Sequence, residues 1–441
     1  PPSARRARRV GSEMCIRDRL ETAAGRMSWQ TLAGRAGGVA CRLTGAPPGP
    51  VALLCPDGAD LAAALLGTLA AGREALLAPH PAVLAGAARA VTIDAGWLAA
   101  TEAAEPCRDP LAGTVGFFTS GTTGAPRLVR RGLAGLQAEL DSFQARWGAA
   151  ASGRVGATVP RAHLYGLTFS LLWPLAAGGV VVAPAWHSWE SVWDGLDGAT
   201  VLVSSPAHLT RMAGLAPLPP ARRPRLVLSA GSALPAPAAR EAAELLGSVV
   251  NEVFGSTETG AVATRRLRTG DEPWQPLPGV AVRIGVEGRL ELCSPALETP
   301  GWHPAADRIA RIGEGGTEEG GTKEGFRLLG RADRVAKVEG KRVDLGALEA
   351  ALLATGWVAG AAVLMLPGPP EVLAAVVVPS PAGRCAQDAL GSFRFGRALR
   401  ARLATGQEAV GLPRRWRFVA ALPEARMGKP DAAALRALFL P

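Results

Sequence analysis

The sequence predicts an α/β protein with a large N-terminal domain of parallel and mixed sheets with helices, and a small α+β C-terminal domain. Two patterns predict this fold class. Between about residues 28 and 229, short apolar runs alternate with alanine-rich helical patterns, which is typical of βαβ units and a mostly parallel sheet. Over residues 280–293, apolar and polar residues alternate over short stretches, which favours antiparallel strands.

The predicted strands of the large domain are apolar runs that end in turn residues. They cover residues 51–55, 75–78, 113–119, 156–160, 180–183, 200–204 and 225–229. The alanine- and leucine-rich stretch 61–71 predicts a buried helix. Residues 280–284 and 288–292 predict a hairpin. The stretch 313–324, rich in Gly and Glu, predicts a solvent loop because it lacks apolar residues for a core.

We place the domain boundary after this loop, so that residues 21–330 form the large domain and residues 331–441 the small one. The small domain is predicted to contain two helices packed with a pair of strands. The helices cover residues 346–355 and 393–405, and the strands cover residues 361–366 and 371–378.

The first twenty residues are predicted to lie outside the fold. The chain begins at Pro1 instead of Met, and residues 5–19 are basic without the apolar segment of a signal peptide. Residues 11–19 resemble translated adaptor sequence. We therefore expect residues 1–20 to be a non-native or disordered leader, with the true N-terminus missing. The sequence contains no run of eighteen or more apolar residues that avoids charged or turn residues, so it does not predict a membrane span.

The net charge of +10 raises the question of a nucleic-acid partner. The arginines are scattered except at the N-terminus and lack interleaved aromatic residues, so the sequence does not predict a nucleic-acid site. The alternatives are a solvated basic surface and one that suits an acidic partner or an anionic substrate. The six cysteines lie far apart without a C-x-x-C pair, which argues against zinc and disulfides and favours the cytoplasm.

Residues 119–124 predict a phosphate-binding loop. Gly121 and Gly124 permit backbone conformations that turn N–H groups inward, and four hydroxyl side chains add donors. The hydroxyl groups belong to Thr119, Ser120, Thr122 and Thr123. The loop is not a Walker motif, since no G-K-[S/T] follows. A polar hairpin is the alternative, which the unbroken run of loop residues disfavours.

This loop, T-S-G-T-T-G-A-P over residues 119–126, resembles that of the acyl-adenylating superfamily of acyl-CoA synthetases, peptide-synthetase adenylation domains and luciferases. The resemblance covers roughly residues 110–432. It implies the adenylate-forming enzyme fold, with ATP and Mg²⁺ as cofactors. The family usually has Lys at the position of Arg127. Arginine keeps the charge there but not the point-like ammonium group.

Residues 251–260 resemble a second motif of this family. The resemblance implies that Glu258 binds Mg²⁺, that Thr257 contacts the α-phosphate, and that Phe254, followed by Gly255, stacks on the adenine. A Mg²⁺ ion on ATP phosphates takes one or two carboxylates from the protein. A lone Glu in a turn would otherwise be a solvated carboxylate. Its pairing with the phosphate loop favours the functional interpretation.

Two further segments resemble nucleotide contacts of the family. Gly231 and Ser232 lie in a small-residue loop that runs along the adenine in the family. Asp307 falls where the family has an aspartate that binds both ribose hydroxyls. The family has Thr and Gly where this chain has Ala305 and Ala306, so only the carboxylate is kept.

Three charged residues extend the resemblance toward the C-terminus. It implies that Arg331 contacts the ribose, that Asp333 is the hinge of a mobile small domain, and that Lys429 is the catalytic lysine. A lysine delivered by a moving domain stabilises charge while the carboxylate attacks the α-phosphate. Taken singly, Arg331 and Asp333 would also fit an exposed charged hairpin. Lys429 alone would also fit a solvent-exposed lysine after a turn.

His163 and Tyr165 are predicted to line the acyl pocket. They lie in an H-x-Y-G-L segment like that of the family, where His163 would gate the pocket; a structural histidine is the equal alternative. With residues 203–209 and 274–279, this segment looks most like ligases of aryl-polyene and xanthomonadin-type pigment clusters. Those ligases load an aromatic or fatty acid onto an acyl carrier protein.

The sequence therefore predicts a cytoplasmic ligase that forms an acyl-AMP and transfers the acyl group to coenzyme A or a separate acyl carrier protein. The alternative is an inactive nucleotide-binding regulatory or scaffold protein of the same fold. The departures at Arg127, Ala305 and Ala306 favour that alternative. Retention of the carboxylates at 258 and 307, with Arg331 and Lys429, argues against it.

Overall fold

The computed structural model describes residues 18–106, 110–120, 126–270, 272–312, 325–331, 334–338, 341–368, 371–404, 411–425 and 429–440. The chain divides into two compact units. The first contains the residues up to Ala281 together with Cys293–Gly301. The second contains Val282–Leu292 and the residues from Trp302 onward.

The first unit contains two mixed β-sheets. Its strands are β1 (Asp18–Thr22), β2 (Gly25–Ser28), β3 (Val51–Leu53), β4 (Ala75–Leu77), β5 (Val91–Ile93), β6 (Thr114–Ser120), β7 (Pro126–Gly132), β8 (Arg154–Ala157), β9 (Val180–Val182), β10 (Thr200–Ser204), β11 (Leu226–Ser229), β12 (Val250–Ser256), β13 (Gly260–Arg266) and β14 (Gln275–Pro276). The nine-stranded sheet has the order β14-β13-β12-β11-β10-β8-β9-β1-β2, and the five-stranded sheet the order β5-β3-β4-β6-β7.

Parallel pairing dominates the interior of both sheets. In the larger sheet the strands from β12 to β1 are parallel to their neighbours, whereas β13, β14 and β2 pair antiparallel at the ends. In the smaller sheet only β7 pairs antiparallel, with β6. The predicted mostly parallel α/β domain is therefore confirmed. Each apolar run named above contains or overlaps a strand.

Helices of the first unit cover the two sheets. They are α1 (Trp29–Thr44), α2 (Gly58–Ala70), α3 (Ala95–Ala99), α4 (Leu133–Trp147), α5 (Leu164–Leu167), α6 (Trp173–Ala177), α7 (Trp189–Gly195), α8 (Pro206–Leu209) and α9 (Ala236–Leu246). Helix α2 is buried along most of its length, as predicted for residues 61–71. It approaches α1 closely at Gly67, where an added Cβ would lie 2.5 Å from the Cβ of Val39.

The second unit contains several small sheets and helices. Its strands are β15 (Ala281–Ile284), β16 (Arg289–Cys293), β17 (His303–Arg311), β18 (Phe326–Arg331), β19 (Val335–Val338), β20 (Lys341–Asp344), β21 (Val358–Leu366), β22 (Val372–Pro379), β23 (Arg415–Phe418), β24 (Glu424–Ala425) and β25 (Lys429–Pro430). Its helices are α10 (Leu345–Ala354), α11 (Pro381–Leu390), α12 (Ser392–Leu403) and α13 (Ala432–Ala437). The predicted hairpin, strand pair and helices all form.

The structure differs from the sequence-based expectations at two boundaries. Strand β1 begins at Asp18, inside the predicted leader 1–20, because Leu20 is fully buried and pairs with Val181 of β9. Strands β15 to β18 form one four-stranded sheet that groups with the second unit, whereas the predicted boundary at residue 330 assigned them to the first. Strand β18 continues through residue 330, so a cut there would divide a paired strand.

Two further expectations concern the rest of the chain. The low-complexity stretch 313–324 and residues 1–17 lie outside the described residues. Among the helices that the structure describes, none is long and apolar enough to cross a membrane.

Candidate active site

Three groups of predicted site residues follow the carboxyl ends of parallel strands in the nine-stranded sheet. His163 and Tyr165 follow β8, Gly231 and Ser232 follow β11, and the segment from Phe254 closes β12. Carboxyl ends of parallel strands meet at one edge of a sheet, and open α/β sheets bind ligands in the crevice at that edge. The fold therefore brings these three predicted groups to one edge.

The turn between β12 and β13 presents Glu258 to solvent. Ser256 and Thr259 fix this turn reciprocally, since each backbone N–H donates to the other hydroxyl oxygen, at 3.1 and 3.2 Å. Gly260 ends the turn with φ of +70°, a conformation that L side chains rarely adopt. The carboxylate of Glu258 is thus carried by a short turn whose backbone is held by its own side chains.

A second set of contacts surrounds Phe254, the residue that is predicted to stack on the adenine. The ring of Phe254 lies 5.6 Å from that of Trp274, and the Arg265 guanidinium lies 4.6 Å over the same tryptophan. Arg265 also forms an ion pair with buried Glu252, with Nη2 2.6 Å from Oε2. Arg265 therefore links the aromatic pair to strand β12.

Glu252 also ties the small-residue loop to β12. Its Oε1 accepts a hydrogen bond from the backbone N–H of Leu234, two residues beyond Ser232, at 2.8 Å. Burial raises the pKa of Glu252, while neighbouring Arg265 acts in the opposite direction. Gly231 in this loop has φ of +103°, so glycine suits its backbone there.

The predicted phosphate loop connects two antiparallel strands. Strand β6 extends to Ser120 and β7 starts at Pro126, with Thr119 opposite Arg127 in the register. The hydroxyl of Thr119 donates to the carbonyl oxygen of Arg127 at 3.2 Å. The remaining loop residues, Gly121, Thr122, Thr123 and Gly124, lie outside the described residues.

Arg131, on the strand that leaves this loop, contacts the turn that carries Glu258. Its Nη1 donates to the carbonyl oxygen of Thr257 at 3.1 Å, and its Nη2 donates to that of Ala296 at 2.8 Å. The Arg131 side chain is only 1% exposed. A buried guanidinium thus joins β7 to the β12–β13 turn.

Glu139 on α4 is the buried counter-ion of Arg131. Its Oε2 lies 3.6 Å from Nη2 of Arg131, and its Oε1 accepts from the N–H of Ala261 at 3.1 Å. Burial raises the pKa of Glu139, and the positive charge of Arg131 opposes that rise. The sequence analysis missed this pair. The available signal was a carboxylate at the helical spacing of the buried residues Leu136, Leu140 and Phe143.

The predicted acyl-pocket segment is anchored by Arg161, which the sequence analysis also missed. This buried arginine donates from Nη1 to the carbonyl of Ala183 and from Nη2 to that of Val182, both at 2.6 Å. Burial lowers its pKa to about 10, so it remains charged at neutral pH. It fixes the start of the segment that contains His163 and Tyr165 against the end of β9.

Tyr165 places a hydroxyl in an apolar setting. Its ring lies 5.1 Å from that of Phe169, and burial raises its pKa well above the ordinary value. Within the described part of the chain, its buried hydroxyl has no hydrogen-bond partner. His163 precedes α5, and its carbonyl accepts from the N–H of Leu167 at 2.8 Å.

The second unit aligns the two residues predicted to contact ribose. Asp307 on β17 and Arg331 on β18 are direct register partners in an antiparallel pair. Ala305 and Ala306 precede the aspartate on the same strand and are partly buried. The strand register thus brings Asp307 and Arg331 close together, although twenty-three residues separate them in the sequence.

The segment after the predicted hinge is firmly attached within the second unit. Asp333 itself lies outside the described residues. The next residue, Arg334, forms an ion pair with Glu349 of α10, whose Oε1 also accepts from the N–H of Val363 at 2.7 Å. Burial raises the pKa of Glu349, with Arg334 opposing that rise.

Lys429 opens the two-residue strand β25. It is the register partner of Ala425 in β24, and Asp431 just beyond it caps α13 through the N–H groups of Ala433 and Ala434. The course of the Lys429 side chain lies outside what the structure describes.

The described residues fit a metal ion that is bound mainly through a substrate. Among them, no group of three or more His, Cys, Asp or Glu side chains is placed to hold a metal. Glu258 is a single exposed carboxylate on an ordered turn. One carboxylate, together with substrate phosphates and waters, is a usual coordination of Mg²⁺. The carboxylate of Glu258 therefore fits Mg²⁺ that is bound together with a nucleotide.

Comparison with known proteins points to one family. Residues 74–293 match the model of the family described as AMP-binding enzyme. The chain is 28% identical over 321 residues to a 4-coumarate–CoA ligase from Rhodobacter capsulatus, covering 71% of this chain and 73% of the relative. It is 29% identical over 360 residues to a sulfoacetate–CoA ligase from Cupriavidus necator, covering 74% and 67%.

Solved structures also share the fold of this chain. The crystal structure of ATP-bound MatB from Rhodopseudomonas palustris superposes with a TM-score of 0.73 at 21% identity, over 96% of both chains. At this identity the likeness concerns the fold alone. It confirms the predicted fold class of a large α/β part followed by a smaller one.

Proposed function

Because the chain belongs to the acyl-adenylate-forming superfamily, we propose that it is an ATP-dependent acid–thiol ligase. In the first half-reaction a carboxylate oxygen attacks the α-phosphorus of ATP, pyrophosphate leaves, and an acyl-AMP forms. In the second, a thiol attacks the acyl carbon, AMP leaves with the bonding electrons, and a thioester forms. The acid is aromatic or fatty, and the thiol belongs to coenzyme A or to a separate acyl carrier protein.

One observation carries this proposal. The guanidinium of Arg131, seven residues beyond Gly124 of the phosphate loop, donates to the carbonyl of Thr257 in the turn that presents Glu258. The strand that leaves the loop and the turn with the carboxylate are thereby joined within one unit. A polyphosphate with its metal ion needs both kinds of group, inward N–H donors and a hard oxygen ligand, within reach of each other.

The roles in the first unit follow from this arrangement. The backbone and hydroxyls of residues 119–124 bind phosphate oxygens, and Thr257 contacts the α-phosphate. Glu258 holds Mg²⁺, which when bound neutralises phosphate charge. Phe254 stacks on the adenine beside Gly231 and Ser232. His163 and Tyr165 line the acyl pocket beyond the end of β8.

The second unit contains four residues with proposed roles. Asp307 and Arg331 contact the ribose, and their alignment across β17 and β18 supports a common target. Lys429 stabilises the charge that develops as pyrophosphate leaves. Asp333 is the hinge, and the ion pair of Arg334 with Glu349 supports a rigid attachment on its C-terminal side. The free cysteines Cys41, Cys55, Cys293 and Cys385 are compatible with the cytoplasm.

Acid-dependent pyrophosphate release from Mg-ATP tests this function. We would measure it across aromatic and fatty acids, with the Lys429→Ala variant and with Lys323→Ala as the matched control. We expect release with one class of acid, a fall of about 10²- to 10³-fold in Lys429→Ala, and no change in the control. Equal release in the wild type and Lys429→Ala would contradict the proposed role of the lysine.

The alternative is a protein of this fold that binds nucleotide without catalysing its transfer. Arg127, Ala305 and Ala306 depart from the family pattern and favour it. The same assay separates the two functions. Measurable ATP binding, with no pyrophosphate release on addition of any acid in the panel, would replace the ligase with this alternative.

A further inference from the structure

The second unit contains a groove that the proposed reaction leaves unexplained. It lies between α11, α12 and β23 and has a volume of about 640 Å³. Arginines and aromatic rings line it, among them Phe393, Arg397, Arg400 and Trp416. No residue assigned above to nucleotide or acid binding is part of this lining.

Most of the excess positive charge of the chain lies in the stretch that forms this groove. Residues 381–441 contain ten arginines and one lysine but only four acidic residues. This stretch therefore has a net charge of +7, out of +10 for the whole chain of 441 residues. The bulk charge is thus concentrated toward one part of the fold instead of spread evenly over it.

Two arginines that line the groove, Arg400 and Arg417, donate to backbone carbonyls. Arg400 donates from Nη1 to the carbonyls of Leu412 and Pro413, and Arg417 donates from Nε to the carbonyl of Leu438. These contacts join α12 to the segment that enters β23. These contacts fix the positions of both guanidiniums in the groove.

Three further arginines, called the rim arginines, differ from Arg400 and Arg417 in their side-chain contacts. Arg397 on α12 lines the groove and is exposed, and the exposed Arg394 and Arg415 are sequence neighbours of the lining residues Phe393 and Trp416. No hydrogen bond, ion pair or ring contact of their side chains occurs within the part of the chain that the structure describes. The charge of Arg397 is therefore available to a partner at the groove, and Arg394 and Arg415 add positive charge next to lining residues.

An exposed aromatic ring accompanies these charges. Phe393 is 79% exposed, although large apolar side chains are normally covered in a folded protein. Next to it, Gly396 brings the helix close to Trp416, since an added Cβ would lie 3.1 Å from Cγ of that ring. Arginine and aromatic residues are the types enriched at protein interfaces and among the residues that dominate binding.

We propose that this groove is the docking surface of an acidic acyl carrier protein, which brings the acceptor thiol of the second half-reaction. The inference rests on the proposed function, and it chooses between the two acceptors left open there. Charge complementarity with the unpaired rim arginines supports an acidic protein surface. The single exposed ring on the rim does not provide the series of stacking platforms that a nucleic-acid strand uses.

The test compares two charge reversals in the full-length protein. One variant carries Arg394→Glu with Arg397→Glu on α12, the helix that lines the groove. The control carries Arg146→Glu with Arg240→Glu, two exposed arginines on α4 and α9 of the first unit, so that the change in net charge is the same. The probe is a bacterial holo-acyl carrier protein, with pantetheine as an uncharged thiol acceptor.

We expect the groove variant to lower kcat/KM for the carrier protein by about tenfold or more, and the control by less than about twofold. Both variants should keep wild-type pyrophosphate release and wild-type transfer to pantetheine. Carrier transfer by the wild type should weaken as salt is raised from 50 to 500 mM, because rim charges act through a screened field.

Three outcomes would overturn the docking surface. Equal loss of carrier transfer in both variants would mean that only net charge matters. Unchanged transfer in the groove variant would mean that the carrier docks elsewhere or is not the acceptor. Binding of a single-stranded RNA oligonucleotide that the groove variant alone abolishes would assign the groove to nucleic acid. Absence of pyrophosphate release in the wild type would instead refute the proposed ligase, which is a separate result.

Discussion

The buried pair of Arg131 and Glu139 gives the most exacting test of the site, through the substitution Arg131→Met. Methionine has a similar length and no charge, so it fills the space but removes the donors to the carbonyls of Thr257 and Ala296. It also leaves Glu139, which is 3% exposed, without its counter-ion. The variant therefore weakens the link between β7 and the turn of Glu258 and creates an uncompensated buried carboxylate.

The expected cost at pH 7.5 is about 3–5 kcal/mol, as for other buried ion pairs that lose one partner. In a unit of this size, each kcal/mol lowers the midpoint of thermal unfolding by about 2 °C, so we expect a decrease of about 6–10 °C. The second substitution Glu139→Gln in the same chain removes the unpaired charge. Because replacing both partners of a buried pair is often nearly neutral, the double variant should recover at least about half of the loss.

The loss of stability in Arg131→Met should also depend on pH, because the protonation of Glu139 determines its direction. Burial raises the pKa of this carboxyl in the folded state, and removal of the Arg131 charge raises it further. A carboxyl with a raised folded pKa binds more protons in the folded than in the unfolded chain. Its favourable contribution is full below the unfolded pKa and is lost as pH rises through the folded pKa. Arg131→Met should therefore be less destabilised at pH 5.5 than at pH 7.5.

Thermal unfolding followed by circular dichroism at both pH values measures these effects. Pyrophosphate release at varied Mg-ATP concentration measures the functional link, and we expect KM for Mg-ATP to rise more than kcat falls. The reasoning is refuted if the variant loses less than about 2 °C, or if the loss is equal at both pH values. It is also refuted if Glu139→Gln restores nothing.

Three further changes test other parts of the site. Tyr165→Phe should leave the thermal midpoint unchanged or raise it, because the buried hydroxyl has no partner among the described residues, and it should lower kcat/KM only for acids with a polar ring substituent. Gly260→Ala should cost about 1–3 kcal/mol in urea unfolding, because φ is +70° and the new Cβ would lie 2.8 Å from Oε2 of Glu139. The third change is at Glu272. Burial acts to raise the pKa of this carboxyl, but hydrogen bonds from the backbone N–H groups of residues 268–270 lower that pKa from 4.5 to about 2. Glu272→Gln should therefore destabilise at pH 7, and the difference from wild type should shrink as pH falls from about 4.5 to 2, which acid unfolding measures.

The fold was largely predictable because its cause is local in the sequence. Apolar runs such as 200–204 and 225–229 became parallel neighbours since a strand that is buried on both faces needs continuous apolar residues. Boundaries were less predictable. Strand β18 ends at Arg331, where charged residues continue without a Pro or Gly stop, so only its pairing with β17 defines its extent.

The candidate site was predictable to the extent that single motifs encode it. Residues 119–124, 254–258 and Asp307 each stand in a short recognisable stretch. The parallel order of β8, β10, β11 and β12 accounts for the common edge of the groups that follow β8, β11 and β12. The side chains that fix these stretches have no motif. Arg131 and Thr257 are 126 positions apart in the sequence. Arg161 donates to the backbone carbonyl of Val182, and every residue type has such a carbonyl, so the sequence does not mark the partner.

One kind of misfit in the sequence does point to such residues. Glu139 occupies a position of α4 that the spacing of Leu136, Leu140 and Phe143 assigns to the buried face. A carboxylate is stable there only if a cation and a donor lie opposite, because burying an unpaired charge costs several kcal/mol. A charged residue at an apolar position of a helix therefore predicts an ion pair even when the partner is unknown. In this chain that partner, Arg131, lies directly on the strand that leaves the phosphate loop. Misfits of this type near a functional motif are thus a guide to the residues that position it.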